Sequence, residues 1–228
     1  MIELNKIYNL DCLEIIDKLI KQKIIVDTII TDPPYNISRK SNFHTMGRQG
    51  VDFGEWDKGF DQISWIKPAI ETLKIGGNII IFNDWKNMSY LKDELENNNC
   101  LIKQMIIWKK TNPMPRNRDR LYVTTCEFAI WATKGKGWSF NRQRDTYENA
   151  IFEYSAVHNS KRIHPTQKPI ELMEDIIKIH TNENDLVLDL FGGSFTTAMA
   201  CKNLNREFIS CDIDNTYVEK GKERLNII

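Results

Sequence analysis

Two short stretches of this chain combine residue types that could do chemistry. The first is Thr31-Asp32-Pro33-Pro34-Tyr35-Asn36, which sets a carboxylate, a rigid backbone and an aromatic ring side by side. Asp32 could accept a hydrogen bond from an exocyclic amine, a carbonyl within Pro33-Pro34 could accept a second, and Tyr35 could stack on a planar ring. A rigid turn with Asp32 as a local cap and Tyr35 as core filler fits the same hexapeptide. The second stretch is Asp189-Leu190-Phe191-Gly192-Gly193-Ser194, followed by Phe195-Thr196-Thr197 and, about 20 positions beyond the glycines, by Asp212. Glycines ahead of a helix N-terminus let a ligand approach backbone N–H groups, and an acid at that distance suits a ribose hydroxyl pair. A tight loop needs glycines too, but the succession of strand, turn, helix, strand and acid favours a nucleoside-bearing ligand.

These residues require elements to hold them. Val26-Asp27-Thr28-Ile29-Ile30 is short, β-branched and nearly continuous, as in a buried parallel strand, and the prolines end it at Asp32. Upstream, a short strand should lead into a helix with apolar residues at 12, 13, 15, 16 and 19, and Asp11 stands where its N-cap is wanted, Glu14 three residues on. Downstream, the patterning predicts a helix over about 61–74 stopped by Gly76-Gly77, a strand at 78–82, a helix over about 85–97 and strands at 101–108 and 126–132. Segments 37–50, 112–120 and 133–162 read as irregular, the first as a lid over a substrate. Pro169 suits the first turn of a helix at 170–180, and the final third continues with a strand at 185–189, a helix over about 195–204 and a strand at 207–211. Repeated β-α-β units predict a single doubly wound α/β domain, its mostly parallel sheet covered by helices on both faces.

Composition narrows the function classes. No apolar run approaches the roughly 20 residues of a membrane span, and the start lacks the pattern of a secretory signal, so a cytoplasmic protein is expected. Five cysteines without a CxxC pair predict reduced buried thiols and no metal site. Net charge is zero, yet residues 101–168 hold 13 Lys or Arg against 5 Asp or Glu, and the remainder is correspondingly acidic. Cations interleaved with aromatics suit nucleic acid, phosphate for the one and bases for the other. By charge alone a solvated cationic surface fits at least as well.

Several separated motifs together resemble one family. Asn9-Leu10-Asp11-Cys12-Leu13, Thr31 to Asn36, His164-Pro165-Thr166-Gln167-Lys168-Pro169, Asp189 to Thr197 and Phe208 to Tyr217 resemble, in order and spacing, the β-class amino-methylating DNA methyltransferases. The resemblance spans nearly the whole chain and is to a small, adenine-directed branch. It implies a Rossmann-like S-adenosylmethionine-dependent fold with circularly permuted motif order, 1–228 forming one domain with a lid at 37–52 and a target-recognition insertion at about 134–162. It implies Asp32, Pro33, Pro34 and Tyr35 as the catalytic motif. Donor contacts fall to Asp11, Thr166, Gln167, Lys168, Asp189, Phe191, Gly192, Gly193, Ser194, Thr196 and Asp212, with no metal. Double-stranded DNA is the implied partner, met by Arg39, Lys40, Arg48, Arg116, Arg118, Arg120, Arg142 and Arg144, with a second copy and a cognate restriction endonuclease as further candidates. Asp rather than Ser at position 32 tilts the target to the adenine 6-amino group, with the cytosine 4-amino group next, then an RNA target or a non-catalytic DNA-binding module. One position departs from the family: Phe195 replaces the second motif glycine, so its ring either turns into the core or crowds the donor.

Overall fold

The computed structural model describes residues 1–37, 57–115 and 119–227. The chain runs β1 (Lys6–Asn9), α1 (Cys12–Lys21), β2 (Val26–Thr31), α2 (Ile66–Thr72), β3 (Leu73–Asn83), α3 (Met88–Asn97), β4 (Cys100–Lys110) and β5 (Cys126–Lys134). It continues β6 (Ile151–Tyr154), α4 (Ile170–His180), β7 (Leu186–Asp189), α5 (Thr196–Asn203), β8 (Glu207–Asp212) and α6 (Asn215–Leu225). The strands form one sheet in the order β1-β8-β7-β2-β3-β5-β4-β6.

Alternation of side chains across the strands divides the core in two. Ile29, Ile79 and Ile81 pack with α1, α2 and α3 on one face, whereas Ile30, Ile80 and Phe82 pack with α4, α5 and α6 on the other. Burying each such side chain stabilises the fold by about 1.5–3 kcal/mol. Strands covered on both faces must be apolar along their length, which explains the nearly unbroken β2 and β3.

Every ladder is parallel except the two made by β5, which runs against both β3 and β4. The sheet is thus mostly parallel, as expected, with β5 as the reversed strand. Its reversal brings the N-terminal residues Cys126 and Glu127 to the edge where β2, β3, β7 and β8 end. The chain moves from β2 to one side of the sheet and returns with β7 on the other, so Asp32 and Asp189 stand at the switch point, the usual place for a ligand crevice.

Three boundaries differ from expectation. Helix α2 stops at Thr72, and Gly76 and Gly77 lie inside β3. Gly76 has φ +79°, and a Cβ there would lie 2.9 Å from the carbonyl oxygens of Lys136 and Gly137. The glycine thus admits a crossing backbone rather than stopping a helix. Strand β6 falls within 133–162, where no element was expected, and pairs with the last residues of β4. Helix α6, for which the patterning predicted nothing, is capped by Asp214, whose carboxylate accepts from Thr216 N at 2.7 Å. Asp11 does cap α1, accepting from Leu13 N at 2.8 Å. The expected lid at 37–52, with Arg39, Lys40 and Arg48, lies outside the described residues beyond Ile37, as do Arg116 and Arg118.

Candidate active site

The Asp32 turn is built by its neighbours. Asp57 is buried, and its carboxylate accepts from the backbone N–H groups of Tyr35 and Asn36, each at 2.8 Å, and of Ile37 at 3.0 Å. Asn36, at φ +58°, turns the chain so that these groups converge. On the other side Gln62 Nε2 donates to the Pro34 carbonyl at 2.6 Å, and Asn87 Nδ2 donates to the Tyr35 carbonyl at 3.0 Å. Asn83, at the end of β3, joins these two amides, donating to Gln62 at 2.8 Å and accepting from Asn87 at 2.7 Å. A loop that two prolines deprive of donors is thereby fixed from both sides.

Within this frame Asp32 accepts from the Tyr35 hydroxyl on Oδ1 and from Lys168 Nζ on Oδ2. Lys168 also reaches the Tyr35 hydroxyl at 3.2 Å and Glu127 Oε2 at 3.2 Å, and Glu127 Oε1 meets Lys110 at 2.6 Å. Burial pushes the Asp32 carboxyl above its ordinary value, with Lys168 opposing and Glu127 adding to the rise. For Glu127 burial works upward too, but Lys168 and Lys110 together outweigh it and hold the carboxylate low. Lys168 is held high because Asp32 and Glu127 overcome the penalty of burying its ammonium.

The glycine turn lies across the switch point. Asp212, ending β8, accepts from Gly193 N at 2.7 Å and Asp214 N at 2.8 Å, which leaves lone pairs for hydroxyl groups. Gly193 is left-handed at φ +51°, and a Cβ on it would touch the His164 ring at 3.4 Å. Burial, with Lys168 adding to it, lowers His164 to about 4, so this ring is neutral at pH 7, lying edge-on to Tyr217 at 4.4 Å. Asp189 accepts from Thr31 Oγ1 at 2.9 Å and from Phe191 N at 3.2 Å, and its burial raises it to about 6. Phe191 is wedged edge-to-face between Phe60 and Trp65. Asp32, Tyr35, Lys168, Phe191, Gly193 and Asp212 all line one cavity of about 510 Å³.

The chain matches a DNA methylase family with both N6 and N4 in its name over residues 26–223. The chain belongs to this DNA methylase family. Among curated relatives, the type II methyltransferase M2.LlaDCHI of Lactococcus lactis subsp. cremoris is 32% identical, covering 95% of this chain and 87% of its own. The type II methyltransferase M2.MboI of Moraxella bovis is likewise 32% identical, at 97% and 88% coverage. Among solved structures, the M1.HpyAVI–SAM complex is 41% identical and superposes with a TM-score of 0.82 over 97% of this chain and 99% of that one. The cytosine-N4-specific PvuII DNA methyltransferase shares the fold, with a TM-score of 0.73 over 96% of this chain and 85% of that one, at 18% identity.

The methylase is S-adenosylmethionine-dependent, and the cavity fits that donor: a carboxylate for a ribose diol, an aromatic wall, and a glycine turn whose backbone a ligand can approach. The structure brings together Asp11, Thr166, Gln167, Lys168, Asp189, Gly192, Ser194 and Thr196 around it with the residues already named. Lys168, expected at the donor's methionine end, lines the cavity and places its ammonium on Asp32 and Glu127. Phe195 is resolved as core: its ring is fully buried among Gly192, Gly221 and Ile7 and does not line the cavity. Arg142 and Arg144 are not brought to the catalytic end. Asn141 is tied to Thr181 O at 2.7 Å, beyond the last turn of α4, and this fastens the start of the 135–150 segment to the opposite end of the sheet. Arg144 lies beside Gln104 and Met105 on the β4 edge. Arg120, by contrast, belongs to the connection that leaves β4 and enters β5 at the catalytic end.

Patterning missed Asp57, Gln62, Asn87, Lys110 and Glu127. Only Glu127 carried a signal, as a lone acid near the start of an otherwise apolar strand. Among the described residues no group of three or more His, Cys, Asp or Glu could hold a metal, and no helix is long and apolar enough to cross a membrane.

Proposed function

We propose that this methylase transfers the methyl group of S-adenosylmethionine to the exocyclic 6-amino group of adenine in double-stranded DNA. The observation that carries the reading is that the Asp32 turn and the Asp212–Gly193 turn open into one cavity, so amine and donor can meet without either turn moving. When bound, the donor would supply an electrophilic methyl to the amine lone pair, sulfur keeping the electrons of the broken carbon–sulfur bond, and the surplus amine proton would leave by way of the partly exposed Asp32 carboxylate to solvent.

The chain's own residues supply orientation and charge. The Asp32 carboxylate has lone pairs left beside those given to Lys168 and Tyr35, and one accepts from an amine N–H. The amine's second hydrogen goes to a carbonyl within Pro33-Pro34, both of which line the cavity. Two acceptors on one amine favour a more pyramidal nitrogen aimed at the methyl, and the developing positive charge meets a carboxylate already in place. A base inside a duplex cannot reach this cavity, so the adenine is flipped out and stacked on Tyr35. Asp212, Gly193, Phe191, Thr166 and Ser194 hold the donor. The phosphates are met by Arg120 and by Arg39, Lys40, Arg48, Arg116 and Arg118.

Incubation with labelled donor and unmethylated DNA, then nucleoside analysis, is expected to show N6-methyladenine. 4-Methylcytosine alone, or methylated RNA without methylated DNA, defeats the reading. Asp32→Ala should lose turnover by about 10²-fold or more while calorimetric donor binding stays within about twofold, because the carboxylate acts on the amine.

A further inference from the structure

A chain of four charges, with Lys168 buried at its centre, crosses from the Asp32 turn to the reversed strand. Lys168 Nζ lies between Asp32 Oδ2 and Glu127 Oε2, and Glu127 Oε1 holds Lys110. The Lys168 side chain is only 6% exposed, so its ammonium depends on carboxylates for its charge, whereas Asp32 and Glu127 keep about a quarter of their side-chain surface.

We propose that Glu127 is a positioning residue of the methyl-transfer centre, which by holding Lys168 fixes the orientation and charge of Asp32. The inference rests on the methyl-transfer reading above. With Asp32 as its sole partner, the ammonium would be left under-compensated whenever Asp32 turned its charge towards the amine nitrogen. With Glu127 as second partner the ammonium stays charged and in place, and Asp32 offers the same lone pairs throughout the reaction. Two carboxylates and two ammoniums also sum to zero, so the site is balanced before a positive charge develops on the substrate. The reversed direction of β5 makes this possible, since in a parallel strand residue 127 would stand at the opposite end of the sheet. Other groups around the cluster are Tyr35 and Asp84 from the β2 and β3 ends, Asp189 from β7 and His164 from the segment before α4.

The signs differ by residue, and this separates positioning from mere support. Glu127 pushes the Asp32 carboxyl up and Lys168 pulls it down. Carboxyl carbon NMR of the full chain without DNA, with the Asp32 signal assigned through Asp32→Asn, should show the Asp32 midpoint move down in Glu127→Gln and up in Lys168→Met. With DNA, Glu127→Gln should lower kcat by about tenfold to a hundredfold, move the acid limb of the pH–rate profile down, and leave donor affinity unchanged. Should Glu127→Gln fail to fold, Glu127→Asp keeps the charge but shortens the reach to Lys168, and is expected to lower kcat with donor affinity intact. An unmoved Asp32 midpoint with an unchanged pH profile, whatever happens to the melting temperature, overturns the inference and leaves the proposed function standing. If the wild type methylates no DNA while the Asp32 midpoints still move as stated, the proposed function fails and the electrostatic coupling is upheld.

Discussion

Phe195 begins α5 in the left-handed conformation, at φ +54°, a region in which a bulky side chain is strained. Its ring repays the strain by filling the space that β-carbons on Gly192 and Gly221 would occupy, 2.3 Å and 2.2 Å from ring atoms. Removing the ring leaves a cavity costing about 3 kcal/mol or more, while a glycine at 195 recovers about 1 kcal/mol of backbone strain. Phe195→Gly should therefore melt below the wild type but above Phe195→Ala, which keeps the strain and loses the ring. Donor titration should give the same affinity for all three; tighter binding in Phe195→Gly would show that the ring crowds the donor after all. Gly221→Ala, ordinarily favourable inside a helix, should destabilise the wild type and be tolerated in the Phe195→Gly background. The motif made Phe195 conspicuous in the sequence, but the direction of its ring was not legible there, because it is decided by Gly221, on a helix the patterning did not predict.

Helix α4 joins the two ends of the sheet, with Lys168 before its first turn and His180 in its last. His180 is buried between Trp131 and Phe140, ring centroids 4.6 and 5.8 Å away, and its carbonyl accepts from Asn78 Nδ2 at 2.8 Å. Burial lowers this histidine to about 3. A depressed histidine contributes stability that is full above about pH 6.5 and is lost as the pH falls towards 3, because only the unfolded chain takes the proton. Asp189, raised to about 6, has the opposite sign: its contribution is full below about pH 4 and is lost as the pH rises through 6. Comparing His180→Phe with the wild type isolates the first effect. Its denaturant midpoint should fall less steeply than the wild type's between pH 6.5 and 4, and parallel curves would refute the assignment. Elements with a strong apolar period, such as α4 and β2, were legible because burial on a known face dictates the pattern. Strand β6 and the path of β3 through Gly76 were not, since four half-exposed residues leave almost no period and a glycine admitting a neighbouring backbone looks like one ending a helix.

At the scale of the molecule, the zero net charge hides an uneven distribution, which the doubly wound fold divides between two halves. The donor side draws on β1, β7 and β8, the reversed hairpin side on β3, β4 and β5, and Asp32 stands on the seam. The Arg120 connection belongs to the second half. Replacing Arg116, Arg118 and Arg120 together by alanine should reduce the slope of log affinity for duplex DNA against log salt by about 2 to 3, through fewer counterions released. An unchanged slope would make these arginines ordinary surface solvation. The overall architecture was legible from alternating apolar strands and amphipathic helices, and the two turns that line the cavity from residue types at strand ends. The direction of β5 was not, because a buried strand reads the same whichever way it runs, and with it went the significance of Glu127. That reversal bears on inheritance as well as on catalysis. Because β4 and β5 both meet the 111–125 connection at the rim that bears Asp32, insertions there can lengthen a loop without displacing any strand, and the gene segments for this connection and for the cavity-lining turns can diverge at different rates.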